Sequence, residues 1–97
     1  MTNSAALYFT AKAFILKNHR FLALKISEKN GDSWELPGGR MEYGENLEET
    51  LHREIKEETN LEIIPIRILN SWYLIEETRQ ISGVIYLCEI KSNLNTI

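Results

Sequence analysis

Two apolar-rich stretches lie near the start of the chain, Leu7 to Lys17 and Arg20 to Ile26, both carrying Phe, Ile and Leu in partial alternation around the polar pair Asn18-His19. Period-two patterning on either side of two turn-forming residues predicts a hairpin. It places Leu22, Leu24 and Ile26 on one face. Ser27 to Ser33 is turn chemistry, Trp34-Glu35-Leu36 a short extended piece, and a loop starts at Pro37-Gly38-Gly39. The period then changes. From Glu45 to Asn60 most residues are good helix formers, with Leu47, Leu51 and Ile55 at i, i+4 and i+8 and no Gly or Pro inside, which predicts a helix. Three later stretches are β-branched or aromatic enough to be strands: Ile63 to Leu69, Ser71 to Glu76 and Ile81 to Ile90.

Size and charge narrow the picture. Ninety-seven residues make one domain, 1–97, and 43% hydrophobic residues supply a globular core. A net charge of -3 offers no footprint for a duplex nucleic acid. No window reaches the roughly 18 apolar residues of a membrane span, and Met1-Thr2-Asn3-Ser4 lacks the basic and apolar regions of a secretion signal, so the expected location is cytoplasmic. The single Cys88 can form no internal disulfide and is expected in a strand core.

The helix carries the candidate chemistry. On a wheel of about 100° per residue, Glu54 borders the stripe of Leu47, Leu51 and Ile55, and Glu58 lies within it. Glu54, Glu57 and Glu58 stand at i, i+3 and i+4, so three like charges crowd one patch, a costly arrangement unless a cation is bound. Mg²⁺ and Mn²⁺ favour such oxygen ligands. The competing view is a solvated acidic face. The preceding Gly38-Gly39 weighs against it, because glycines can aim carbonyls at a metal or amides at a phosphate.

Residues 39 to 61 read Gly39-Arg40-Met41-Glu42-Tyr43-Gly44-Glu45, then Asn46 to His52, then Arg53-Glu54-Ile55-Lys56-Glu57-Glu58-Thr59-Asn60-Leu61. This stretch resembles the Nudix box, and Trp34 to Gly38 resembles the lead-in common in that family. One position departs: Asn60 stands where the family has a late Gly. Asn also tolerates the left-handed geometry that ends helices, so a cap changes rather than the chemistry.

The resemblance implies an α+β fold, an α/β/α sandwich around a mixed sheet, and a metal-dependent hydrolase that cleaves a nucleoside diphosphate linked to another group X by attack of water on phosphorus. It makes Glu54, Glu57 and Glu58 metal ligands for Mg²⁺ or Mn²⁺. Gly38 and Gly39 resemble the turn that supplies a backbone carbonyl to the metal. Glu54 or Glu57 would orient or deprotonate the water. Arg53 resembles the family's structural arginine, positioning the acids and pairing with Glu45; the alternative is a surface pair with Glu49 or Glu57. Arg40 is the best candidate for a phosphate contact. The resemblance also implies a second helix late in the chain, and Lys91 to Ile97 is too short and polar to be one. An open sheet face would then be covered by a missing tail or by a homodimer. The competing function is a catalytically weak or inactive Nudix-like module that binds a nucleotide or a protein.

Other polar and aromatic residues have plainer readings. His19 and His52 have no partners for a zinc site. Trp34, Trp72, Tyr73 and Tyr86 are expected in core or sheet packing before base stacking, and Arg67 and Arg79 in solvation. Glu76, Glu77 and Glu89 are downstream carboxylates among which the pattern does not choose.

Overall fold

A computed structural model describes residues 5–29 and 31–91. Met1 to Ser4, Asn30 and the tail from Ser92 lie outside the described residues. Strands β1 (Ala6–Lys17), β2 (Arg20–Phe21), β3 (Leu24–Glu28), β4 (Gly31–Glu35) and β5 (Gly38–Arg40) precede helix α1 (Leu47–Thr59), and β6 (Ile63–Glu76) and β7 (Arg79–Ile90) follow it. The main sheet runs β2-β1-β7-β6, with β5 also paired to β1, while β3 and β4 form a separate two-stranded sheet. The β1–β7 pair is parallel and the others are antiparallel, so the sheet is mixed. With α1 as the one helix among the described residues, the fold is α+β.

The hairpin forms as the pattern expects. Asn18 and His19 take φ of 53° and 64°, the two positive values that a tight turn between twisted strands needs. The second stretch does not continue as one strand. It leaves β1 after Phe21 and resumes at Leu24 against β4, so Leu22 instead packs beside the main core and only Leu24 and Ile26 share a strand face. Conversely, Ile63 to Leu69 and Ser71 to Glu76 are one strand. Irregularities at Pro65/Arg67 and Ile68/Asn70 absorb the proline and the break in alternation without ending the pairing to β7.

Parallel register puts Ala11 beside Val84, Ala13 beside Tyr86 and Ile15 beside Cys88. All six are buried, and with Leu51, Ile55 and Ile63 they form the core under α1. The small alanines let the helix sit close. Cys88 and Tyr86 therefore occupy the core as expected, whereas Trp34 and Tyr73 are exposed. Trp72 packs over Gly83, where an added Cβ would meet its ring at 2.9 Å. On the same face as Trp72, away from α1, Phe14 stacks on Phe21 with centroids 5.0 Å apart. Leu16, Phe21 and Leu74 are exposed there, and no described element covers them.

Candidate functional site

Local sequence signals set where α1 starts and stops. The Asn46 side chain accepts from the Glu49 amide and the Glu49 carboxylate accepts from the Asn46 amide, both at 2.8 Å, a complete capping box. At the other end Asn60 is left-handed (φ 61°) and its amide donates to the Lys56 carbonyl. Asn60 thus closes the helix much as a glycine would. Glu49, engaged in the cap, is no partner for Arg53.

Arg53 pairs instead with Glu45. Its Nε and Nη2 donate to the two Glu45 oxygens at 2.6 and 2.9 Å, a bidentate clamp across the loop–helix junction. Nη2 also donates to the Arg40 carbonyl at 3.0 Å. The Arg53 hydrogen bond, first, and the Glu42 backbone hold the Glu45 carboxyl down at about 2. The same clamp raises Arg53. Thr50, fully buried, donates from Oγ1 to Glu45 at 2.9 Å. Sequence reading missed Thr50. Its signal is a hydroxyl one turn after the Asn46 cap, facing back toward the loop.

The three acids of the patch differ in surroundings. Glu54 packs against Gly39 so closely that a Cβ there would overlap its carboxylate. Burial pushes Glu54 up; the Arg53 charge opposes this and Glu58 and Glu57 add to the rise. Glu58 is exposed, and its Oε1 accepts from the Gly38 amide at 2.8 Å. Glu57 lies more open, with Arg53 Nη1 3.4 Å from its Oε1 and 3.3 Å from that of Glu54. Gly38 has φ 140° and no room for a side chain, since a Cβ would overlap the Ala11 carbonyl oxygen. Strand β5 exists in this form because glycine can lie flat on β1 and under α1 at once.

The structure thus brings Glu54, Glu57, Glu58, Arg53, Gly38 and Gly39 to one rim of the sheet. Among the described residues, no group of three His, Cys, Asp or Glu is gathered tightly enough to hold a metal as it stands. The donor chemistry nevertheless fits a hard divalent cation. Arg53 is committed to Glu45 and touches Glu54 and Glu57 only at 3.3 and 3.4 Å, and one Glu58 oxygen is left beyond the Gly38 amide. Arg40 is exposed, its guanidinium 3.8 Å from the centroid of the Tyr8 ring. Glu76 pairs with Arg79 at 2.7 Å, Glu77 sits in the β6–β7 turn, and Glu89 is exposed on β7. None of these three joins the patch through a described contact.

A family model for the NUDIX domain matches residues 8–96. The chain belongs to the NUDIX family. Among curated NUDIX relatives, the 8-oxo-dGDP phosphatase NUDT18 of Mus musculus is 47% identical over 64 residues, 65% of this chain and 20% of that protein. The nucleoside triphosphatase NudI of Enterobacter sp. is 37% identical over 68 residues, 67% of this chain and 48% of its own. The chain therefore spans between a fifth and about half of these two relatives. The solution structure of the E. coli ORF135 protein shares the NUDIX fold, with a TM-score of 0.79 at 19% identity over 96% of this chain and 71% of that one. Among the described residues no helix is long and apolar enough to cross a membrane.

Proposed function

We propose that this NUDIX domain hydrolyses the diphosphate linkage of a nucleoside diphosphate joined to a second group X. One observation carries the reading: Glu54, pushed up by burial, is wedged between the Gly39 backbone and a braced Arg53, with Glu57 and Glu58 on the same turn. Relatives named for phosphatase and triphosphatase activity on nucleotides support it. Glu54, Glu57 and Glu58, with a backbone carbonyl from the Gly38-Gly39 turn, would hold Mg²⁺ or Mn²⁺. When bound, such an ion neutralises phosphate charge and makes a water acidic enough to supply hydroxide near neutral pH.

The chain's own groups do the rest. Arg53, locked on Glu45, places its positive charge beside Glu54 and Glu57 and lowers their mutual repulsion. Glu54 or Glu57 orients the attacking water and takes its proton. Glu58, tethered to the Gly38 amide, fixes the last helical turn against β5. Arg40 contributes a cation for a substrate phosphate. The protein works in the cytoplasm on a small nucleotide-type molecule rather than a duplex, and its open sheet face is covered by a second copy.

The test is a panel of nucleoside triphosphates, nucleotide sugars and dinucleoside polyphosphates with Mg²⁺ or Mn²⁺, scored for phosphate and pyrophosphate release. Glu58→Gln is the blank. Release by the wild type and none by the blank is expected. The second reading is a nucleotide- or protein-binding module without turnover. Equal signals from protein and blank would select it.

A further inference from the structure

Most cations with described partners are held by carboxylates. Arg53 clamps Glu45, Arg79 pairs with Glu76, Lys25 lies 3.2 Å from Asp32 and Lys12 3.8 Å from Glu35. Arg40 differs. Its guanidinium rests on the Tyr8 ring at 3.8 Å, and among the described residues no ion pair or hydrogen bond of that guanidinium accompanies the contact. Yet Glu42 and Glu45 line the same open pocket of about 320 Å³ as Tyr8 and Arg40.

Strand pairing explains the placement. Arg40 lies opposite Thr10 and Gly39 opposite Ala11, so Gly39 faces α1 while the Arg40 side chain shares the other face with Tyr8. The Arg40 main chain stays in the acid site, its carbonyl accepting from Arg53 at 3.0 Å. The residue thus has its backbone beside the carboxylates and its charge held away from them. Stacking uses only the face of a guanidinium and leaves its in-plane N–H groups free for phosphate oxygens.

We propose that Tyr8 is a positioning residue: its ring holds the Arg40 guanidinium in the open pocket that Glu42 and Glu45 also line, on the far side of β5 from the acid patch, as an uncommitted cation for the part of the substrate's phosphate chain that reaches past β5. This rests on the hydrolase reading above. It assigns to Tyr8 a part that no feature of its sequence neighbourhood announces.

The experiment is calorimetric titration with GDP in Mg²⁺ buffer, alongside KM and kcat on whichever diphosphate the wild type turns over. Arg40→Ala and Tyr8→Leu are each expected to weaken binding about tenfold. The loss should appear in KM more than in kcat, as for an interaction made equally in ground and transition states. Tyr8→Phe, which keeps the ring, should restore what Tyr8→Leu loses. The double variant should bind no more weakly than Arg40→Ala alone. Tyr8→Leu with wild-type affinity, or losses that add in full in the double variant, would overturn the proposal. Arg40→Ala leaves the sheet intact even if Tyr8→Leu does not fold, and wild-type affinity in Arg40→Ala overturns it alone. Ring-dependent GDP binding without turnover rejects the hydrolase and keeps the positioning role; turnover indifferent to the ring does the reverse. A wild type that neither binds GDP nor cleaves any diphosphate sinks both.

Discussion

On the face of β1 toward α1, Ala11, Ala13 and Ile15 are almost wholly covered, whereas the larger Phe14 and Leu16 between and beyond them point to a face over which no described element lies. The strand is the same and the alternation is regular. What differs is that one face received a helix whose Leu51 and Ile55 reach the sheet, and the acids at the end of that helix came with it. Coverage rather than hydrophobicity separates the two faces. The functional patch sits at the rim of the covered one, where Glu54 is desolvated by the Gly39 backbone and Glu57 and Glu58 still meet water.

The sharpest way to break this contrast is to cut equally into both faces. Leu51→Ala is expected to destabilise the fold by about 2–5 kcal/mol, since it opens a cavity in a closed core. Leu74→Ala, on the open face and 48% exposed, is expected to cost under about 1 kcal/mol. Denaturant melts of the two variants, at concentrations where the chain sediments as a monomer, measure the difference; equal losses would mean that the second face is closed within one chain as well.

Next come the two glycines of β5, which touch the covered face in different ways. Gly38→Ala drives a Cβ into the Ala11 backbone at φ 140°, so it should destabilise the fold by about 1–3 kcal/mol. Gly39→Ala meets only the end of a flexible side chain, Glu54, and is expected to spare the melting temperature while lowering turnover at least tenfold, about 1.4 kcal/mol of barrier. A paired thermal melt and activity assay separates them.

Glu45 gives a smaller, pH-dependent effect. Its folded carboxyl titrates near 2 rather than at the ordinary 4.5. Its contribution is therefore fully present above pH about 4.5 and is lost as pH falls toward 2. Glu45→Gln should be less stable than the wild type at neutral pH, and the two curves should converge through that acid window. Parallel curves would show that the Arg53 clamp adds no pH-dependent stability.

The smallest effect tests the open face. Sedimentation of the wild type at rising concentration should show a dimer, and Leu16→Glu should make it monomeric, with an unfolding midpoint that no longer rises with protein concentration. A wild type that stays monomeric and binds no hydrophobic dye would remove the need for a second copy over that face.

Much of the site is legible along the chain because its signals are local. The stripe of Leu47, Leu51 and Ile55 and the left-handed stop at Asn60 each rest on residues one turn apart. The Arg53–Glu45 clamp spans the loop–helix junction and is also readable, given a box in which both positions are occupied. Ser27 to Ser33, read as a turn, is mostly in β3 and β4, and the expected loop at Gly38-Gly39 is strand β5; two further strand errors share one cause. Arg20 to Ile26 is a single apolar run in sequence but serves two sheets, and Ile63 to Glu76 looks broken at Asn70 but is carried through by β7.

By itself, then, the chain determined the apolar stripe of α1, roughly where that helix begins and ends, and that three carboxylates share a patch. These depend on backbone period and on neighbours a few positions apart. Only the tertiary structure decided that Glu54 is desolvated while Glu57 and Glu58 meet water, that Thr50 supports Glu45, and that Tyr8 lies under Arg40. Each of these depends on strand register and on the approach of α1 to β5, which bring together groups as distant in sequence as Tyr8 and Arg40.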